Sequence, residues 1–98
     1  MAREFRNVDP KELRVTGSRR SGADPYKLQR QIAKFGSSLA GMPAPFVFEA
    51  SDGVLVVYDG VTRATRAAKL APGTSIVVEV IGRFKKPHAK DPSIGDLI

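Results

Sequence analysis

The chain has no cysteine, a single histidine among 98 residues and no apolar run near the length of a bilayer span. The missing cysteine excludes a disulfide framework, a thiol nucleophile and a thiolate metal site. The leading MAREFRNVDPKELR is charged and lacks the apolar segment of a signal peptide, so a cytoplasmic location is the default expectation. Aromatic residues are few, five Phe and two Tyr, and no internal repeat is visible. The lone His88 lies in a Pro/Lys-rich stretch, where a solvent-exposed role is the ordinary one.

Enough is present for one small domain with one core. About two-fifths of the residues are hydrophobic (42%), and the formal net charge is +6. That charge is uneven: residues 1–41 carry nine Lys/Arg against four Asp/Glu, residues 42–81 three against four, and residues 82–98 four against two. The middle, rich in apolar residues, is nearly neutral and the excess sits in the flanks. Such an excess suits a polyanionic partner or, equally, a well-solvated surface.

The pattern along the chain predicts a short strand near Phe5–Val8 and a turn at Asp9-Pro10. A Gly-rich loop, TGSRRSGA, follows over 16–23 and carries Arg19 and Arg20. Asp24 as N-cap, Pro25 at the first helical position and Gly36 beyond the end delimit a helix over 25–36. Its apolar stripe is Leu28, Ile32 and Phe35, and its opposite side carries Lys27, Arg30 and Lys34. Two β-rich runs, 46-FVFEA-50 and 54-VLVVY-58, are joined by Ser51-Asp52-Gly53, a hairpin signal. The second run is almost wholly apolar, which points to a central strand. A second helix is expected over about 61–71, with Ala64, Ala67, Ala68 and Ala71 toward a sheet and Pro72-Gly73 stopping it. A strand, 76-IVVEVI-81, follows. Residues 84–98 read as a basic, flexible tail outside a 1–83 domain, with Ile94, Leu97 and Ile98 as its apolar contacts. Phe35, Phe46 and Phe48 read as core; Tyr26, Tyr58 and Phe84 could stack on bases, but nothing in the sequence groups them. The expected architecture is a single α+β domain, a mixed sheet with helices packed on it.

The stretch 58-YDGVTRATRAAKL-70 holds the candidate site. A helix N-terminus exposes unpaired N–H groups and the positive end of the helix dipole, and so favours an anion. Gly60 lets backbone approach a ligand, Thr62 offers a hydroxyl, and Arg63 offers a forked charged donor. Arg66 lies one turn later on the same side. An ordinary capped corner with solvated arginines fits the same residues. The long Gly-rich loop of a P-loop is absent. The second group of candidates, for contact with a nucleic-acid backbone, comprises Arg19, Arg20, Lys27, Arg30 and Lys34. No metal-ligand set stands out. Among carboxylates near the sheet, Asp52 reads as a turn residue and Glu49 and Glu79 as solvent-facing strand residues. That leaves Asp59 as the one catalytic candidate.

The helix 25-PYKLQRQIAKFG-36, the hairpin 46-FVFEASDGVLVVYDG-60, the helix 59-DGVTRATRAAKLAPG-73 and the strand 76-IVVEVI-81 together resemble the ParB/sulfiredoxin superfamily over about residues 5–82. The resemblance implies that fold and a nucleotide-phosphate site at a Gly-x-x-Arg turn, matched here by Gly60 and Arg63 with Thr62 beside them. The turn reads Gly60-Val61-Thr62-Arg63 where partition proteins carry Gly-Glu-Arg-Arg, and Val61 stands where sulfiredoxins carry the cysteine that reduces sulfinic acids. Three functions follow as expectations: a module binding nucleotide or nucleic acid, a ParB-like nuclease or nucleotide hydrolase using Asp59 with Mg²⁺, or a protein-interaction module using the basic helix face.

Overall fold

The computed structural model describes residues 2–17 and 21–98. Four strands form one mixed sheet: β1 (Glu4–Val8), β2 (Phe46–Glu49), β3 (Leu55–Asp59) and β4 (Ile76–Arg83), in the order β1-β4-β2-β3. β4 pairs antiparallel with β1 and parallel with β2, and β2 and β3 form the expected antiparallel hairpin. Two helices, α1 (Pro25–Phe35) and α2 (Val61–Leu70), complete a single mixed α+β domain with helices packed on a four-stranded sheet.

α2 lies on the sheet through small side chains. Ala64, Ala67 and Ala68 are buried against Val47, Val57, Val78 and Val80, while Val61 closes the core at the N-terminal end of the helix. Alanine lets the helix axis sit close to the strands, and the branched valines fill the pleated face. α1 packs against α2 rather than the sheet, and none of its residues is fully buried. The stripe Leu28–Ile32–Phe35 is therefore only partly covered, and Phe35 is exposed.

Three expectations need correction. β3 is the last strand of the four, not a central one. Its apolar character has another cause: the chain at Arg14 runs along its outer edge, with Arg14 N–H donating to Leu55 O (2.8 Å) and Val57 N–H to Arg14 O (2.9 Å). Phe46 is exposed and Phe48 lies on the face away from the helices, so neither belongs to the core. The segment expected as a tail is built into the domain. Val15 N–H donates to Pro92 O and Ile94 N–H to Leu13 O, and Ile94 is buried in the core beside Leu13 and Val15. The Asp52 carboxylate, at the hairpin turn, accepts from His88 N–H (3.1 Å) and Ala89 N–H (2.8 Å). The packed unit thus extends past residue 83, because a buried isoleucine and backbone pairing outweigh the Pro/Lys-rich composition around them. Arg19 and Arg20 lie outside the described residues.

Several carboxylates are held below their ordinary pKa by donors. Glu4 is lowered by the Arg83 and Arg6 guanidiniums and Glu79 by Arg3. Asp96 is lowered by the Ser93 N–H and hydroxyl; for Asp52, desolvation acts upward but the N–H groups of Ala89 and His88 prevail. A depressed carboxylate pKa stabilises the fold above the ordinary range, and that stability is lost as pH falls through the folded value. Unfolding free energy should therefore be flat near neutrality and decline below about pH 4.5, where unfolded carboxylates begin to bind protons. Replacing Asp52 by Asn should flatten part of that decline in denaturant titrations at stepped pH.

Candidate phosphate site at the start of α2

The end of β3 and the start of α2 are joined by Gly60 alone, at φ +108°. This left-handed conformation suits glycine, and the space requires it as well. A Cβ at Gly60 would lie 2.9 Å from Pro45 Cβ and 2.8 Å from Arg63 Nη2. The second distance shows where Arg63 goes: its side chain folds back over the turn and sets its guanidinium beside the N-terminus of α2. No side chain caps that N-terminus, whereas Asp24 caps α1 by accepting from Tyr26 and Lys27 N–H. Arg63 makes one charged contact, Nη2 to Asp59 Oδ2 at 3.9 Å, and its Nε is buried without a partner among the described residues.

α1 brings further groups to the same place. A depression of about 230 Å³ at the start of α2 is lined by Gly60, Thr62, Arg63 and Asp59 from the turn and by Lys27 and Gln31 from α1. A second, of about 320 Å³, continues along α1 and is lined by Lys27, Arg30, Gln31, Lys34, Phe35 and Thr62. Two groups of residues singled out separately in the sequence, the turn and the basic side of α1, thus share one surface.

Arg66 does not join them. It is 2% exposed, the largest fully buried side chain among the described residues, and its Nη1 donates to Gly36 O (2.9 Å) and Ser38 O (2.7 Å). Its guanidinium also lies 5.2 Å from the centre of the Phe35 ring. This places positive charge where the carbonyls at the end of α1 gather, the favourable end of that dipole. Arg66 is a tie between helices, and its charge is directed to backbone oxygens rather than offered to a phosphate. A third depression, of about 240 Å³, lies between this tie and the loop at Ala40–Pro43, with Arg63 and Gln31 on its wall.

Gln31 is a site residue that the sequence pattern did not bring forward. It lines all three depressions, and its Oε1 is buried without a partner among the described residues. A signal existed, since Lys27, Gln31 and Lys34 fall at i, i+4 and i+7 on one helix face. Asp59 is exposed and is the one acidic side chain in the lining at the α2 start. Glu49 and Glu79 are engaged elsewhere, Glu49 with Arg6 and Arg83 and Glu79 with Arg3. His88 Nδ1 lies 2.6 Å from Asp91 Oδ2. Among the described residues there is no group of three or more His, Asp or Glu placed to hold a metal ion, and no helix long and apolar enough to cross a membrane. Comparison with family models, with curated proteins and with solved structures gives no match.

Three substitutions test this arrangement. Gly60→Ala should destabilise the fold by about 2–4 kcal/mol, combining left-handed strain with the Pro45 contact. Gly53 is also at positive φ, but a methyl group there would meet nothing within 4 Å, so Gly53→Ala should cost only the strain, about 1 kcal/mol. Arg66→Ala should cost about 2–4 kcal/mol and release α1. Hydrogen exchange should then show protection lost in 25–36 before the sheet opens.

Proposed function

We propose that the chain is a phosphate-ligand binding module of ParB/sulfiredoxin-like type that takes a nucleotide or nucleic acid at Gly60, Thr62 and Arg63. The single observation carrying this reading is the convergence at an uncapped helix start: Arg63 folded over Gly60, with Lys27 and Gln31 brought across from α1. Free N–H groups, the helix dipole and two cationic side chains all favour the same sign of ligand. Lys27, Arg30 and Lys34 extend the cationic surface along α1, as a polyphosphate or a nucleic-acid backbone would use it. The element order from helix to hairpin to helix to strand, with the Gly-x-x-Arg turn between the last strand of the hairpin and α2, supports the family reading.

Asp59 gives a second reading, hydrolysis with a divalent cation. Its carboxylate is exposed beside Arg63, within reach of a ligand at the helix start. In the binding reading it only repels the anion; in the hydrolytic reading it would hold Mg²⁺ or a water.

The test is a backbone-amide titration with CTP, ATP, inorganic phosphate and short DNA. Gly60, Thr62, Arg63 and Lys27 should shift together, and Arg63→Ala should weaken binding about tenfold or more. Should these amides stay still with every ligand, the reading fails. Asp59→Asn should strengthen metal-free binding of the anion. Loss of Mg²⁺-dependent hydrolysis or nicking in that variant would establish the second reading instead.

A further inference from the structure

The core cluster formed by the described residues contains no aromatic ring. Four of the five phenylalanines lie elsewhere than on the helices: Phe5, Phe46, Phe48 and Phe84 gather with Tyr58 on the sheet face opposite α2. The register explains the placement. Phe5 and Phe46 both oppose Glu79, the outward residue of β4, while Val47, Val57, Val78 and Val80 point to the core. A bulge at Ile81 turns Gly82 outward, and the Phe48 ring covers it so closely that a Cβ there would collide with the ring. Phe48 in turn stacks on Phe84 at 4.6 Å between centroids and meets Tyr58 edge-on at 5.6 Å.

One end of this face is thus self-covered, and the rest is open. Phe5, Phe46, Tyr58, Val77 and Ile81 are all exposed, on four adjacent strands. Apart from Glu79 and the terminal Arg83, β4 is apolar toward both faces, close to the pattern of a strand buried on both sides. An antiparallel sheet with a solvated face ordinarily shows polar residues there. Aromatic and branched side chains grouped on one surface are what a protein interface uses.

Charge selects the occupant. Within the patch, Arg3 and Glu79 neutralise each other, with Arg3 Nη2 at 2.7 Å from Glu79 Oε1 and the Arg3 guanidinium 5.0 Å from the centre of the Phe5 ring. A polyanion needs unpaired cations, and this patch has no excess of them among the described residues. Two copies of a chain of net charge +6 repel one another, and a locally neutral surface is where that repulsion opposes their meeting least. A patch with one cation and one anion is also self-complementary under a two-fold axis, which sets the Arg3 of each copy against the Glu79 of the other.

We propose that the open face bearing Phe5, Phe46, Tyr58, Val77 and Ile81 around the Arg3–Glu79 pair docks a second copy of this chain, sheet on sheet. The packing is that of two aligned sheets with interleaved side chains. The face is small, so the dimer belongs to the weak, reversible class.

The test is sedimentation equilibrium of the full chain from micromolar to millimolar concentration, with amide spectra recorded on dilution. A reversible monomer–dimer equilibrium should appear, with dilution shifts at Phe5, Phe46, Val77 and Ile81. Val77→Lys and Ile81→Lys should each raise the dissociation constant about tenfold or more, and Lys69→Glu, on α2, should not. Arg3→Glu lies outside the strands and should weaken the dimer without loss of fold, and adding Glu79→Arg should restore it. A chain that stays monomeric throughout, or a dimer indifferent to all of these changes, overturns the proposal. Shifts at the same residues on adding oligodeoxythymidine, with no dimer formed, would reassign the face to single-stranded nucleic acid and overturn it equally.

Discussion

The arrangement of the helical layer depends on one buried cation. Arg66 has no carboxylate against it among the described residues; its acceptors are the carbonyls of Gly36 and Ser38 where α1 ends. A guanidinium does not give up its charge on burial, so the fold must supply acceptors, and the end of a helix offers a group of them. The tie fixes α1 across α2 even though α1 buries little apolar surface of its own. From that fixed position Lys27 and Gln31 reach the start of α2. The candidate site therefore depends on an interaction at the end of α1, about one turn from Gln31 and more than two turns from Lys27.

Arg63 and Arg66 share a helix and stand three residues apart, yet one is folded over a glycine turn at the surface and the other is enclosed between helices. Both stand on the side of α2 that faces α1, and the difference is position along it: Arg66 meets the carbonyls where α1 ends, and Arg63 lies beside the turn that starts α2. Gly60 makes the first of these positions possible, because any Cβ there would occupy the space of Pro45 and of the Arg63 guanidinium. Thr62 remains beside them at the rim, and Val61 anchors the same turn in the core. The turn thus holds one guanidinium, with its Nε buried, beside a backbone fixed by glycine.

The sheet is asymmetric in an informative way. Its inner face is aliphatic and shares one core with Ala64, Ala67 and Ala68 of α2, a core without aromatic rings among the described residues. The aromatics go to the other face, where part of the cluster is closed by Phe84 and the residues after it. An ion-pair group of Glu4, Arg6, Glu49 and Arg83 occupies the end of the inner face that the helices do not reach. Each is partly exposed, so these pairs serve chiefly to keep that end solvated and in register.

Several features were determined by the sequence alone. Asp24-Pro25 and Gly36 delimit α1, Asp52-Gly53 marks the hairpin turn, the alanine spacing puts α2 on a sheet, and Asp59-Gly60 places a turn before a helix; all are local rules of capping, φ preference and periodicity. The Gly60–Arg63 turn was legible as a candidate for the same reason. The tertiary structure alone decided which of two equally spaced arginines is buried, which apolar strand lies at the edge, which phenylalanines leave the core, and that Ile94 belongs to it. Each of these depends on contacts between segments far apart in the chain: Arg66 with Gly36, β3 with Arg14, Phe48 with Gly82, Ile94 with Leu13. Composition and periodicity report how one segment meets water, but not which other segment will take the water's place.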